Sequence, residues 1–165
     1  MKTILAPVDF STVSRRVVDA AISLAKAIGA RVILLHVTPK PALIRNALPA
    51  VEDVEIRTKS LTRQAEKQLI ELQRLSRKKL SDLDTLQVNG PAATRIVEEA
   101  RSRKAVYIVL GSHGHSAVRD ALLGSVAAAV VKTAPCPVLL VPPTSVSAVV
   151  SPRGPRKISE ARVKR

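Results

Sequence analysis

Three glycines and a serine hold the clearest chemistry in this sequence: Gly111, Gly114, Gly124 and Ser125, spaced G-x2-G-x9-G-S. The β-branched run Tyr107-Ile-Val-Leu leads into the first glycine, and a long apolar stretch follows the last. Such an order brings a strand's carboxyl end to a sheet edge. Glycines without Cβ then let backbone approach a ligand, and a helix opened by Gly124-Ser125 presents unpaired N–H groups that favour an anion. The spacing is neither the dinucleotide-binding G-x-G-x-x-G nor the P-loop G-x4-G-K-[ST], since no Lys follows Gly124. Phosphate is the anion such a loop suits, although by themselves the glycines read equally as turns and a helix cap.

Other residues near this loop could add to that chemistry. Asp9 ends the N-terminal apolar run Ile4-Leu5-Ala6-Pro7-Val8, where a carboxylate commonly serves as a cap or turn group. His113 sits between two of the glycines, so its backbone N–H faces the expected phosphates and its ring could add a donor. No candidate nucleophile lies near it. Ser125 can cap a helix and donate to a phosphate oxygen with the same geometry. Arg119, Asp120 and Lys132 read as solvated helix faces. His36, His113, His115 and Cys136 lack any Cys-x2-Cys or His-x3-His spacing, so they are not read as a zinc site. Cys136, between two prolines, reads as a small buried residue.

With these residues in view, the chain resembles the universal stress protein family. The likeness rests on Ala6-Pro7-Val8-Asp9-Phe10-Ser11, on Leu34-Leu35-His36-Val37, on Val109 through Val126, and on Ala134-Pro135-Cys136-Pro137-Val138-Leu139-Leu140-Val141. It covers residues 1 to 142. The ATP-binding branch of that family carries G-x2-G-x9-G-[ST], and this sequence is similar at every fixed position. It departs at Val106, where the family often has an acidic residue, and that departure is expected to alter the strand's entry. The resemblance implies ATP as ligand, with Mg2+ bound through the phosphates. Pro7 and Val37 would flank the adenine, Val37 through its main chain. Asp9 would contact ribose hydroxyls or a phosphate-bound metal. Gly111, His113, Gly114, Gly124, Ser125 and Val126 would surround the phosphates.

Composition bounds the rest. The 165 residues suit one domain. Apolar residues make up 46% but aromatics only 1%, so the core must be aliphatic and the usual base-stacking platforms are missing. A single Cys excludes an intramolecular disulfide. The apolar run before Asp9 is too short for a signal peptide, and no stretch approaches the ~18 apolar residues of a membrane span. A cytoplasmic protein with no membrane partner is the expectation. Of the net charge of +14, a net +5 falls after Pro143, where Arg153, Arg156, Lys157, Arg162, Lys164 and Arg165 face Glu160 alone.

The chain between these landmarks alternates strand and helix patterns. Lys2 to Val8 reads as a buried strand, with Ser11 able to cap a helix that ends at Gly29. Val13, Val17, Ala20, Ala21, Leu24 and Ile28 recur at helical intervals within it. Val32 to Val37 reads as a second strand and Pro39 to Arg57, with three prolines, as an irregular connection. A helix follows from about Thr58 to Lys79, with Leu61, Ala65, Leu69, Leu72 and Leu75 or Ser76 on its apolar side. Then come a strand over 83–88, a helix over 92–103 with Pro91 at its first position, a strand over 105–110, a helix over 125–133 and a strand over 138–141.

This order predicts a doubly wound, Rossmann-like α/β domain over 1–143 with a five-stranded parallel sheet. The family's strand order, 3-2-1-4-5, would place Asp9 and Gly111 at the switch point where such sheets bind ligands. Residues 144–165 read as a flexible basic tail. The leading functional expectation is an ATP-binding regulatory module for stress responses. The alternatives are a slow ATPase or phosphotransferase, and a polyanion binder using the tail. The apolar, unprotected fifth strand at the sheet edge predicts a homodimer.

Overall fold

The computed structural model describes residues 1–39, 54–114 and 123–143. The tail over 144–165, and His115, Arg119 and Asp120 in the glycine loop, lie outside the described residues. The elements run β1 (Lys2–Pro7), α1 (Ser14–Ile28), β2 (Ala30–Thr38), α2 (Val54–Arg77), β3 (Leu83–Asn89), α3 (Ala92–Ser102), β4 (Tyr107–Gly111), α4 (Ser125–Thr133) and β5 (Val138–Val141). The five strands form one parallel sheet in the order β3-β2-β1-β4-β5, as the resemblance implies.

Side-chain alternation along buried strands builds the two layers. Ile4, Ala6, Val32, Leu34 and Val109 face one core with Val17, Val18, Ala21 and Ile22 of α1 and Leu69 of α2. Leu5, Ile33, Leu35, Ile108 and Leu110 face the other with Ile96 and Ala100 of α3 and Ala127 and Val130 of α4. Both faces of the sheet are covered, which is why the strands read as continuous apolar runs. Among the described residues no helix is long and apolar enough to cross a membrane.

Several boundaries differ from the sequence expectation, each for a physical reason. Ser11 does not cap α1. The residue preceding the helix is Val13 without a side-chain cap bond, and Ser11 Oγ is buried without a hydrogen-bond partner among the described residues. The helix end is as expected: Gly29 is left-handed at φ 63 and its N–H donates to Ala25 O. Helix α2 begins at Val54, so the segment Val54–Arg57 is helical and not irregular. Ala65, Leu69 and Ser76 are its buried face, whereas Leu61 and Leu75 are 39% and 37% exposed. At 100° per residue Leu61 and Leu75 stand about 60° and 100° around the helix from Ser76 in the middle of that face, so they lie at its margins, turned away from the sheet. Pro91 stands just before α3, in extended geometry, not in its first position. Strand β4 starts at Tyr107, with the Val106 N–H donating to Thr3 O ahead of the ladder. Cys136 is half-buried against the α3–α4 core.

Leu5 is fully buried in the central strand. Leu5→Ala should cost about 2–5 kcal/mol of unfolding free energy, the range for an aliphatic truncation in a packed core. Urea denaturation measures it, and a loss below about 1 kcal/mol would contradict the packing described.

Candidate functional site

The turn between β1 and α1 is fixed by Asp9. Its Oδ1 accepts from the Ser11 N–H at 3.0 Å and from the Ser14 hydroxyl at 3.0 Å. Phe10, between Asp9 and Ser11, adopts φ 62, a left-handed conformation that non-glycine residues rarely take. Its ring stacks on His36 at a centroid distance of 4.4 Å, which holds it there.

On the other side of the switch point, Ser112 fastens the glycine loop by its main chain. Its N–H donates to Val141 O and its carbonyl accepts from the Gly124 N–H, both at 2.8 Å. The end of β5, the exit of β4 and the start of α4 are thereby joined. Ser112 Oγ lies 3.0 Å from His113 Nδ1. Gly124 is the N-cap of α4, so Ser125 occupies the first helical position, exposed, and makes no cap bond. In any α-helix the first N–H groups lack intrahelical acceptors, and here these belong to Ser125, Val126 and Ala127.

The glycines have reasons of their own within the protein. A Cβ on Gly114 would stand 2.3 Å from Asp9 Oδ2, and one on Gly111 would stand 3.1 Å from His113 O and 3.2 Å from Val13 Cγ1. Gly114 is therefore small because Asp9 lies against it, and Gly111 because α1 and its own loop do. At Gly124 the nearest atoms, 3.4 to 4.0 Å away, leave room for a side chain.

Strand β2 completes the site. The Val8 N–H donates to Leu35 O at 2.8 Å, so Leu35 points its main-chain groups toward β1. Main-chain direction alternates along a strand, so Val37 points its N–H and C=O the same way. The β1–β2 register ends at Pro7 opposite Leu35, leaving Val37 beyond the end of that ladder. His36 Nδ1 lies 2.8 Å from Val8 O. A carbonyl can only accept, so Nδ1 bears the hydrogen and Nε2 of the neutral ring is left as an acceptor. Burial pushes the His36 pKa below its ordinary value, against the smaller opposing effects of the Val8 carbonyl and the Asp9 charge.

These elements enclose a cavity of about 230 Å³ at the carboxyl ends of β1, β2 and β4. Pro7, Asp9, Val37, Gly111, His113, Gly114, Gly124, Ser125 and Val126 all line it, so the residues that the resemblance assigns to a ligand meet in one place. His36, Ser14 and Ser112 line it too, and sequence reasoning gave them no part in it.

The family model described as universal stress protein family matches residues 1–142. The chain belongs to that family. Universal stress protein MJ0531 of Methanocaldococcus jannaschii is 34% identical over 140 residues, which span 85% of this chain and 81% of that protein. Among solved structures, the hypothetical protein MJ0577 matches with a TM-score of 0.77 at 26% identity, covering 87% of this chain and 97% of that one. A universal stress protein in complex with cAMP matches with a TM-score of 0.59 at 25% identity, covering 85% of this chain and 96% of that one.

The state of His36 makes a prediction about pH. Its folded pKa lies below the ordinary 6.5, so the unfolded chain takes up the proton first. The stability that neutral His36 contributes is complete above about 6.5 and is lost as pH falls from there through the folded value. Urea midpoints of the wild type should fall more between pH 7.5 and pH 5.5 than those of His36→Gln. Equal falls in the two proteins would contradict a neutral, buried His36.

Proposed function

We propose that this cavity holds ATP, with Mg2+ carried on the phosphates, and that the protein is a nucleotide-dependent regulatory module of the cytoplasm. One observation carries the reading. Two sets of main-chain groups left over by the secondary structure, those of Val37 and those opening α4, converge on one cavity at the sheet's switch point. The first set suits the edge of a purine and the second suits phosphate oxygens. The relative in complex with cAMP supports an adenine nucleotide, because cAMP and ATP share the adenosine and its 5′ phosphate.

In this reading Pro7 and Val37 flank the adenine. The Asp9 Oδ2, the oxygen not engaged by Ser11 and Ser14, faces the ribose or the metal. Gly111, His113 and Gly114 with Gly124, Ser125 and Val126 surround the phosphates. ATP should bind more tightly than AMP, since the loop contributes most of its donors to the outer phosphates.

Ser125 gives a test that spares the fold. Ser125→Asp places a carboxylate in the first turn of α4, which suits the helix dipole but opposes a polyphosphate. Saturating ATP, at a hundredfold excess over its dissociation constant, should stabilise the wild type by about 2.7 kcal/mol. The variant should bind ATP at least about tenfold more weakly, a difference of about 1.4 kcal/mol, while its adenosine affinity stays unchanged. Equal ATP-induced thermal shifts in both proteins would sink the phosphate assignment.

The same reading includes a homodimer through β5, which stands at the sheet edge with Leu139 43% exposed and neither Lys nor Pro within it. Two copies about a twofold axis would pair antiparallel and cover both sets of groups. Analytical ultracentrifugation should give a dimer at micromolar concentration for the wild type and a monomer for Leu139→Lys. A monomeric wild type ends this part of the proposal. The basic stretch after Pro143 is assigned weak, non-specific polyanion binding on its composition alone.

A further inference from the structure

Both helical layers carry ion pairs, Arg74 with Glu71 and Lys79 with Asp19 on the α1–α2 side, but the α1–α2 layer adds a row of exposed cations. On the α3–α4 face, Arg95 pairs with Glu98 and Glu99, Arg103 pairs with Glu99, and Arg101 donates to the Thr133 carbonyl. On the α1–α2 face, Lys59, Arg63 and Lys67 are exposed and have no ion-pair or hydrogen-bond partner among the described residues, and the same holds for Arg15 of α1. At 100° per residue, Lys59, Arg63, Lys67 and Arg74 fall within an arc of about 80° and along about 22 Å of axis. That arc lies opposite the buried Ala65, Leu69 and Ser76. Arg15 and Lys67 line one groove between the two helices, so the cations of α1 and α2 are contiguous there. Two carboxylates lie beside the arc: Glu71 is engaged by Arg74, and Glu66 is exposed without a partner among the described residues.

We propose that the α1–α2 face docks the phosphodiester backbone of double-stranded nucleic acid, without sequence preference. A row of exposed cations on a convex helix, all but Arg74 without a partner among the described residues, suits a row of phosphates, and binding is driven by the counterions they displace. An aromatic content of 1% leaves no stacking platform for single strands. An anionic bilayer would reward apolar insertion as well as charge, and between Lys59 and Arg74 the arc carries Ile70 as its one apolar residue. The inference goes beyond the nucleotide reading. It uses the folded domain, neither the cavity nor the segment after Pro143.

The test uses the full chain and a short, labelled, mixed-sequence DNA duplex, followed by fluorescence anisotropy over a salt series. The wild type should bind with an affinity that falls steeply with salt. Arg63→Glu with Lys67→Glu should weaken binding at least about tenfold and reduce the slope of log affinity against log salt by about 2. Lys132→Glu on the opposite face should change neither, and melting temperatures should show all variants folded. Failure of the wild type to bind, or duplex affinity unchanged in the double variant, overturns the proposal. So does loss of binding only when Arg162, Lys164 and Arg165 are changed to Gln, which would move the site to the chain's end. Capture of phosphatidylglycerol vesicles with no affinity for the duplex would make the face a lipid surface and overturn it equally.

Discussion

The Asp9 carboxylate is the constraint on which the rest of the site depends. One oxygen holds the Ser11 N–H and the Ser14 hydroxyl, which turns the chain from β1 into α1. The other lies where a Cβ on Gly114 would stand, so the β1 turn and the glycine loop are fitted to each other through one side chain. A hydrogen bond to a charged acceptor is worth roughly twice a neutral one. That strength, with the Phe10–His36 stack, offsets the left-handed backbone at Phe10. A carboxylate set this way is a structural tie at the cavity wall.

Around that tie the sheet supplies direction. Parallel strands must all end on the same side, and the crossing from the β1–β2 half to the β4–β5 half leaves a crevice there. Strand β1 stops three residues before β2 has finished, Pro7 standing opposite Leu35 while β2 runs on to Thr38, and this gives the crevice a main-chain edge at Val37. Ser112 closes the opposite wall through its bonds to Val141 and Gly124. The same strand order puts β5 at the far edge of the sheet. Site and edge are thus two consequences of one topology.

The fold was legible because its cause is local. Apolar runs of strand length, punctuated by Gly29 and by Asn89-Gly90-Pro91, leave little freedom in element order, and the family resemblance fixed the strand order. The meeting of Pro7, Asp9, Val37 and the glycine loop was legible for the same reason: each stands at the carboxyl end of a strand. What stayed hidden depends on contacts between distant residues. Ser11 has the right type for a cap, but its carbonyl, not its hydroxyl, accepts from the Ser14 N–H. Leu61 and Leu75 fit the helical period, but they stand at the margins of the face that α2 turns to the sheet. Gly111 and Gly114 read as openings for a ligand, whereas their nearest neighbours are Val13, His113 and Asp9. His36 read as an isolated histidine because its partners, Val8 and Phe10, lie on another strand and its turn. Its one signal was position: it is the polar residue within the apolar run from Val32 to Val37, at the level where β1 ends.

The central claim is that leftover main-chain groups at the switch point make a site for a polyphosphate nucleotide. Isothermal titration of the full chain with ATP in the presence of Mg2+ tests it most directly. The account predicts saturable binding with one ATP per chain and a lower affinity for AMP. Absence of saturable binding, or equal affinity for ATP and adenosine, would contradict it.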